Sequence, residues 1–128
     1  MLLLVTILKE YRHVEELMLG FVELEVGGST VIEGAGMGEI LGNLPILSSV
    51  RQLFPKSGST SHVVLTVTNE RKAAQCTTFV REQFSLEDSP GAGIIFSVPI
   101  ANAFGLSEAI TTQSDTKQVA VSDEEHRV

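Results

Sequence analysis

The sequence holds a single cysteine, Cys76, so no intramolecular disulfide framework can form, and a reducing compartment is expected. Basic residues are scarce. Nine Lys and Arg stand against sixteen Asp and Glu, for a formal net charge of -7 and a pI near 4.8. A chain of that sign repels phosphate backbones and anionic lipid faces, which excludes nucleic acid as a partner and argues against membrane docking. Long apolar runs are missing too. Met1–Leu8 is apolar almost throughout, but Lys9-Glu10-Tyr11-Arg12 cuts it short. A spanning helix needs about twenty apolar residues. The run also has no basic flank and no small-residue cleavage site, so it reads as a buried strand of a soluble, cytoplasmic protein and not as a leader.

Several chemistries lack their residues. No Cys-x-x-Cys follows the first strand, and no Gly-Lys-Ser/Thr completes a phosphate loop. The turn Lys9-Glu10-Tyr11 has no glycine and arginine cradle of the acylphosphatase kind. The third strand has no alternating aromatics on which bases could stack. His13, His62 and His126 are scattered, with no pair at ligand spacing, so no metal site is expected and His62 reads as a polar residue at a strand start. Cys76 falls on the apolar side of a helix and reads as a packing residue. No nucleophile–base pair or paired carboxylates emerge, and a catalytic centre is not expected.

What is present has a clear order. Apolar residues make up 43% of the 128, enough for one domain with a core. Residues 1–8 form a strand. Val14, Leu17, Met18, Phe21 and Val22 then recur at helical spacing, and Gly27-Gly28 is the expected helix stop. Ser29–Ala35 and His62–Thr68 are strands. Asn69 is a helix N-cap, ahead of a stripe of Ala73, Cys76, Thr77, Val80 and Phe84. Leu86–Gly93 is a turn segment, and Ile94–Pro99 is the fourth strand.

The pattern is β-α-β-β-α-β. It predicts an α+β, ferredoxin-like fold, with a four-stranded antiparallel sheet and two helices on one face. The other face has no cover in this scheme, and copies of the chain are its simplest partner. The expected domain spans 1–106. Residues 107–128 read as a polar tail, flexible or loosely docked.

Two segments stand out within this frame. The connection between the second and third strands exceeds twenty residues, opens on Gly34, Gly36, Gly38 and Gly42, and carries one cation, Arg51, in its apolar stretch. Connections of that length are more often functional than incidental. The second is Ser89-Pro90-Gly91-Ala92-Gly93, where close glycines can present backbone N–H groups to an anion.

Taken together, the strand exit Gly34-Ala35-Gly36-Met37-Gly38, the long connection and Pro90-Gly91-Ala92-Gly93-Ile94-Ile95-Phe96-Ser97-Val98-Pro99 resemble the PII family of nitrogen-regulatory signalling proteins. The likeness is closer to its small, divergent PII-like members, and it covers about residues 1–106. The resemblance implies a homotrimer whose sheets face inward, with no enzymatic activity. It implies that Met37 to about Ser59 is a mobile T-loop, through which Ile40, Leu44, Ile46 and Arg51 would contact a target transporter or metabolic enzyme. It further implies an effector site in the cleft between subunits. Gly36, Met37 and Gly38 would come from the T-loop base, and Ser89, Gly91, Ala92 and Gly93 from the B-loop.

The chain departs from the family at cationic positions. Ile94 stands where a lysine follows the B-loop glycines, and Met37 and Gly38 replace an arginine and a glutamine. Ile100-Ala101-Asn102-Ala103 replaces an arginine-bearing motif. The only tyrosine, Tyr11, lies outside the loop. A triphosphate needs cations beyond backbone amides. The effector implied is thus a smaller or less charged adenine nucleotide, or another small anion. Two alternatives remain open: a ligand-independent trimeric interaction module, and a metal-handling trimer resembling CutA.

Overall fold

The apolar run at the start of the chain becomes one of the two central strands of a sheet, flanked on both sides. In the computed structural model, which describes residues 1–44, 60–89 and 91–106, β1 spans Leu2–Leu8, and α1 follows over Tyr11–Glu23. Then come β2 (Thr30–Ala35), the short α2 (Met37–Gly42), β3 (Thr60–Thr68), α3 (Glu70–Gln83) and β4 (Gly93–Pro99). The sheet order is β2-β3-β1-β4, with every pair antiparallel. This is the expected ferredoxin-like α+β arrangement. Ile46, Arg51, the rest of 45–59, and the tail 107–128 lie outside the described residues.

Strand alternation divides the sheet into two faces. Leu4, Thr6 and Leu8 of β1, Val64 of β3 and Ile95 of β4 share the face that carries the helices. There they meet Val14, Leu17 and Phe21 of α1 and Cys76, Val80 and Phe84 from α3 and its end, forming one core. Removing such side chains from water at about 25 cal/mol per Å² is the main stabilising term. The opposite face carries Leu3, Val5 and Ile7 of β1, Ile32 of β2, and Val63, Leu65 and Val67 of β3. From β4 come Ile94, Phe96 and Val98. Apart from Thr30 and Ser61 toward the β2 edge, the face is apolar, and no described helix covers it. Ile32, Ile94, Phe96 and Val98 are exposed.

Three details depart from expectation. The long connection does not leave β2 as pure loop, because α2 forms within it over Met37–Gly42. Gly36 supplies the extended N-cap, and Ile40 N–H bonds the Gly36 carbonyl at 3.0 Å. Second, Val22 is not in the core stripe but points to solvent, leaving Val14, Leu17 and Phe21 to face the sheet.

Third, Gly27-Gly28 does not stop α1. The helix ends earlier, at Glu23, in a Schellman motif: Glu25 N–H bonds Val22 O at 3.0 Å, and Val26 N–H bonds Phe21 O at 2.8 Å. Glu25 takes the left-handed conformation there, at φ 60. Val26 is buried, which supplies the apolar contact that usually accompanies the motif. α3 closes in the same way, with Ser85 at φ 49, Ser85 N–H on Glu82 O and Leu86 N–H on Arg81 O. At its other end Asn69 caps α3 as expected, its side-chain oxygen accepting from Lys72 N–H at 2.8 Å.

Candidate functional site

The sheet register decides where the two glycine-rich segments stand. Gly93 at the start of β4 pairs with Leu8, Leu8 with His62, and His62 with Glu33 near the end of β2. The expected B-loop and T-loop base therefore share one end of the sheet. They sit on opposite edges, however, separated by three strand spacings of about 4.8 Å, or roughly 14 Å. Within one chain they do not converge on one small ligand.

At the T-loop base, Gly36 is a position of close approach. A Cβ built there would lie 3.3 Å from Ser61 Oγ and 3.6 Å from Lys9 Nζ. Lys9 follows β1 directly, so the strand itself carries this ammonium to the edge of Gly36. Lys9 and Ser61 were not among the residues expected from the sequence. The signal for them is the antiparallel register of β1, β3 and β2, which residue types alone do not reveal. Met37 is exposed, Gly38 lies inside α2, and Ile40 and Leu44 present apolar side chains to solvent. Those four continue from the strand exit toward the undescribed 45–59.

On the other edge the turn after α3 is tightly wound. Ser89 N–H donates to Ser85 O at 2.9 Å, and Ala92 N–H donates to Ser89 O at 3.1 Å. Two of the backbone donors expected for an anion are thus engaged within the turn. The two glycines have different work. Gly91 adopts φ +86 with open space around it, a backbone conformation that favours glycine. Gly93 is instead pinned against β1, where a Cβ would stand 2.8 Å from Leu8 Cδ2 and 2.9 Å from the Ile7 carbonyl oxygen. Beside this turn, Arg81 is ion-paired with Glu87, which raises its pKa further and commits its charge.

The other titratable groups do not gather into a reaction centre. Burial pushes the Cys76 thiol up to about 11, only partly offset by the nearby Lys72 charge, so it is a poor thiolate. His62 is buried edge-on to Tyr11, with ring centroids 5.6 Å apart, and its Nδ1 has no hydrogen-bond partner among the described residues. His13 leans on Phe84 and reaches Glu10 at 3.7 Å. Among the described residues no three His, Cys, Asp or Glu side chains come together as a metal site would require. No helix among them is long and apolar enough to cross a membrane.

No family model matches this chain, and neither does any curated protein. Among solved structures it resembles a crystal structure from Thermus thermophilus described as a PII-like signalling protein. The two are 20% identical over 76% of this chain and 84% of that one, with a TM-score of 0.51. At that identity the likeness speaks for the fold. This chain has the fold of a PII-like signalling protein, in divergent form.

Proposed function

We propose that this protein is a non-enzymatic, PII-like regulator that assembles as a homotrimer and binds a small anionic effector between subunits. The observation that carries the reading is the placement of its two glycine-rich segments. They lie at the same end of the sheet on opposite edges, with Lys9 beside one of them. Only neighbouring copies can bring such halves together. The largely apolar outer sheet face supports the same assembly, because such a surface on a lone chain is a liability that association removes.

The effector class follows from the donors. Lys9 supplies one cation, and Gly36 and Gly91 allow close backbone approach, which suits one phosphate or carboxylate better than a triphosphate. An adenine nucleotide of low charge is the first candidate. Ligand binding would bias the segment that begins at α2, and Met37, Ile40 and Leu44, continuing to Ile46 and Arg51, would present it to a target transporter or enzyme.

Calorimetric titration with ATP, ADP, AMP and cyclic AMP, run beside light scattering, tests both halves. Three chains per particle and saturable heat from one of these nucleotides are the expected results. A stable monomer at micromolar concentration would undo the assembly. A trimer silent to all four would favour the ligand-independent module.

A further inference from the structure

We propose that Phe104 of each subunit inserts into an apolar groove between α1 and β2 of its neighbour, forming the outer lock of the ring; this rests on the trimer reading above. Two features of the surface lack a reason in one chain. Phe104 is 92% exposed, in a segment from Ile100 to Leu106 that carries no charge. On the far edge of the sheet, a mostly apolar groove of about 400 Å³ is lined by Tyr11, Val14, Met18, Leu19, Val22 and Val31, with Glu15 as its one charged residue. Leu19 and Val22 are 68% and 69% exposed there, at helix positions that would ordinarily be polar. Among the described residues, the first is an apolar knob without a socket and the second a socket without a knob.

Their positions match under a single operation. Rotation about an axis roughly parallel to the strands leaves strand directions unchanged. In the sheet order β2-β3-β1-β4 with all neighbours antiparallel, β2 and β4 run in opposite directions. The β4 edge of one copy therefore meets the β2 edge of the next as an antiparallel pair. That alignment sets the start of β4 beside the end of β2, which unites the two glycine-rich segments. The register then places Val31 level with Ile95 and Thr30 level with Phe96, so β4 runs on past the start of β2, and the residues after Pro99 emerge toward the Leu19 and Val22 end of the groove.

The chain is directed there as well. Ile100 N–H bonds the Met1 carbonyl at 3.1 Å, so the polypeptide leaves β4 at the Met1 end of the sheet. α1 returns toward that same end, bringing Val22 and Leu19 with it. Gly105, at φ +86, turns the backbone immediately after Phe104. A knob and socket on opposite edges form a heterologous contact, and rotation closes such contacts into a ring.

The test uses engineered cysteines in the full chain, since Cys76 is buried. The pair Leu19→Cys and Phe104→Cys, combined in one chain and oxidised with copper phenanthroline, is expected to run as covalent dimers and trimers without reductant. Each single variant is expected to run as a monomer. Phe104→Glu is expected to raise the concentration at which the trimer dissociates about tenfold or more, as loss of a central aromatic anchor does. An intact trimer without cross-links in the double variant, and with unchanged dissociation of Phe104→Glu, overturns the Phe104 contact and leaves the ring standing. Cross-linking within one chain overturns it too, by placing Phe104 on its own groove. A wild-type monomer in light scattering is distinguishable from both and sinks the ring itself.

Discussion

Gly93 lies against Leu8 so closely that the smallest side chain would collide with both the Leu8 methyl group and the Ile7 carbonyl. The glycine at the start of β4 is therefore a packing device that lets the edge strand approach β1. Gly93→Ala is expected to destabilise the fold by about 1–3 kcal/mol, the usual range for overpacking. Gly34→Ala, with open space at its Cβ, is the control and should change stability by only a few tenths. Urea unfolding of the two variants separates them, and equal midpoints would contradict the contact. Loss of ligand in a Gly93 variant would thus say little about binding, and Gly91, in open space, is the residue to change instead.

Where α1 crosses α3, the absent side chain of Gly20 makes room for the ring of Phe79. Gly20→Val should cost about 1–3 kcal/mol through this clash, despite replacing a helix glycine. Phe79→Ala alone should also destabilise, since the half-buried ring packs on the core. Combined, the two changes are expected to cost clearly less than their sum, because the smaller residue admits the larger. Strict additivity in this double-mutant cycle would mean that the two sites are not coupled.

The helix stops suggest a stabilising change. Glu25 occupies a left-handed position that costs an L-residue roughly 1–2 kcal/mol, partly offset by the greater chain entropy of glycine. Glu25→Gly is expected to raise stability by up to about 1 kcal/mol, with Ser85→Gly behaving similarly. Thermal unfolding would read the gain. A fall in Tm for both variants would show that the side chains at these positions contribute more than the backbone strain removes.

The same motifs mark the limit of what the sequence makes legible. The order of the four strands with α1 and α3, the Asn69 cap, the core stripe of α3 and the sheet face that no described helix covers follow from periodicity and residue type, which act locally. The end of α1 does not. Gly27-Gly28 carries the strongest local stop signal, yet Val26 reaches the core only if the chain turns at Glu25, and burial of Val26 outweighs the strain. Val22 obeys the helical period but lies just off the buried arc, a distinction that depends on how α1 is rotated over the sheet. α2 is a six-residue helix, too short to be stable by itself and thus nearly silent in propensity. Lys9 and Ser61 are brought to Gly36 by strand register, which no local pattern contains.

Cys76 offers a pH test with a defined sign. Its thiol sits at about 11 in the fold against 9.0 when free, because burial disfavours the thiolate. Between those values the unfolded chain releases a proton that the folded chain keeps, so the unfolded state gains ground as pH rises. The protonated thiol's contribution is fully present below about pH 9 and is lost as pH rises toward 11. Cys76→Ala should be less stable at neutral pH, through the cavity it leaves, but should show a shallower decline over this window. The difference between the two curves over this window reads the thiol. Parallel curves from about pH 8 to 11 would refute its assignment as a buried, protonated group.

Lys9 is the cation through which the effector reading can be tested most directly. Its Nζ lies beside Gly36, while Arg12, three residues on, is held by Glu10 at 2.8 Å and faces solvent. If an anion bridges the two glycine-rich segments, Lys9→Ala should weaken binding of the best adenine nucleotide about tenfold or more, the effect of losing a charge-assisted contact. Arg12→Ala should leave the affinity within about twofold, as expected for an exposed ion pair. Lys9→Arg keeps the charge with a different fork of donors, and an intermediate affinity is expected. Light scattering on all three must still give the wild-type assembly, because a broken trimer would lose the site for another reason. Equal affinities for Lys9→Ala and wild type, with the trimer intact, would move the anion away from Gly36 and leave the turn around Gly91 as its remaining support.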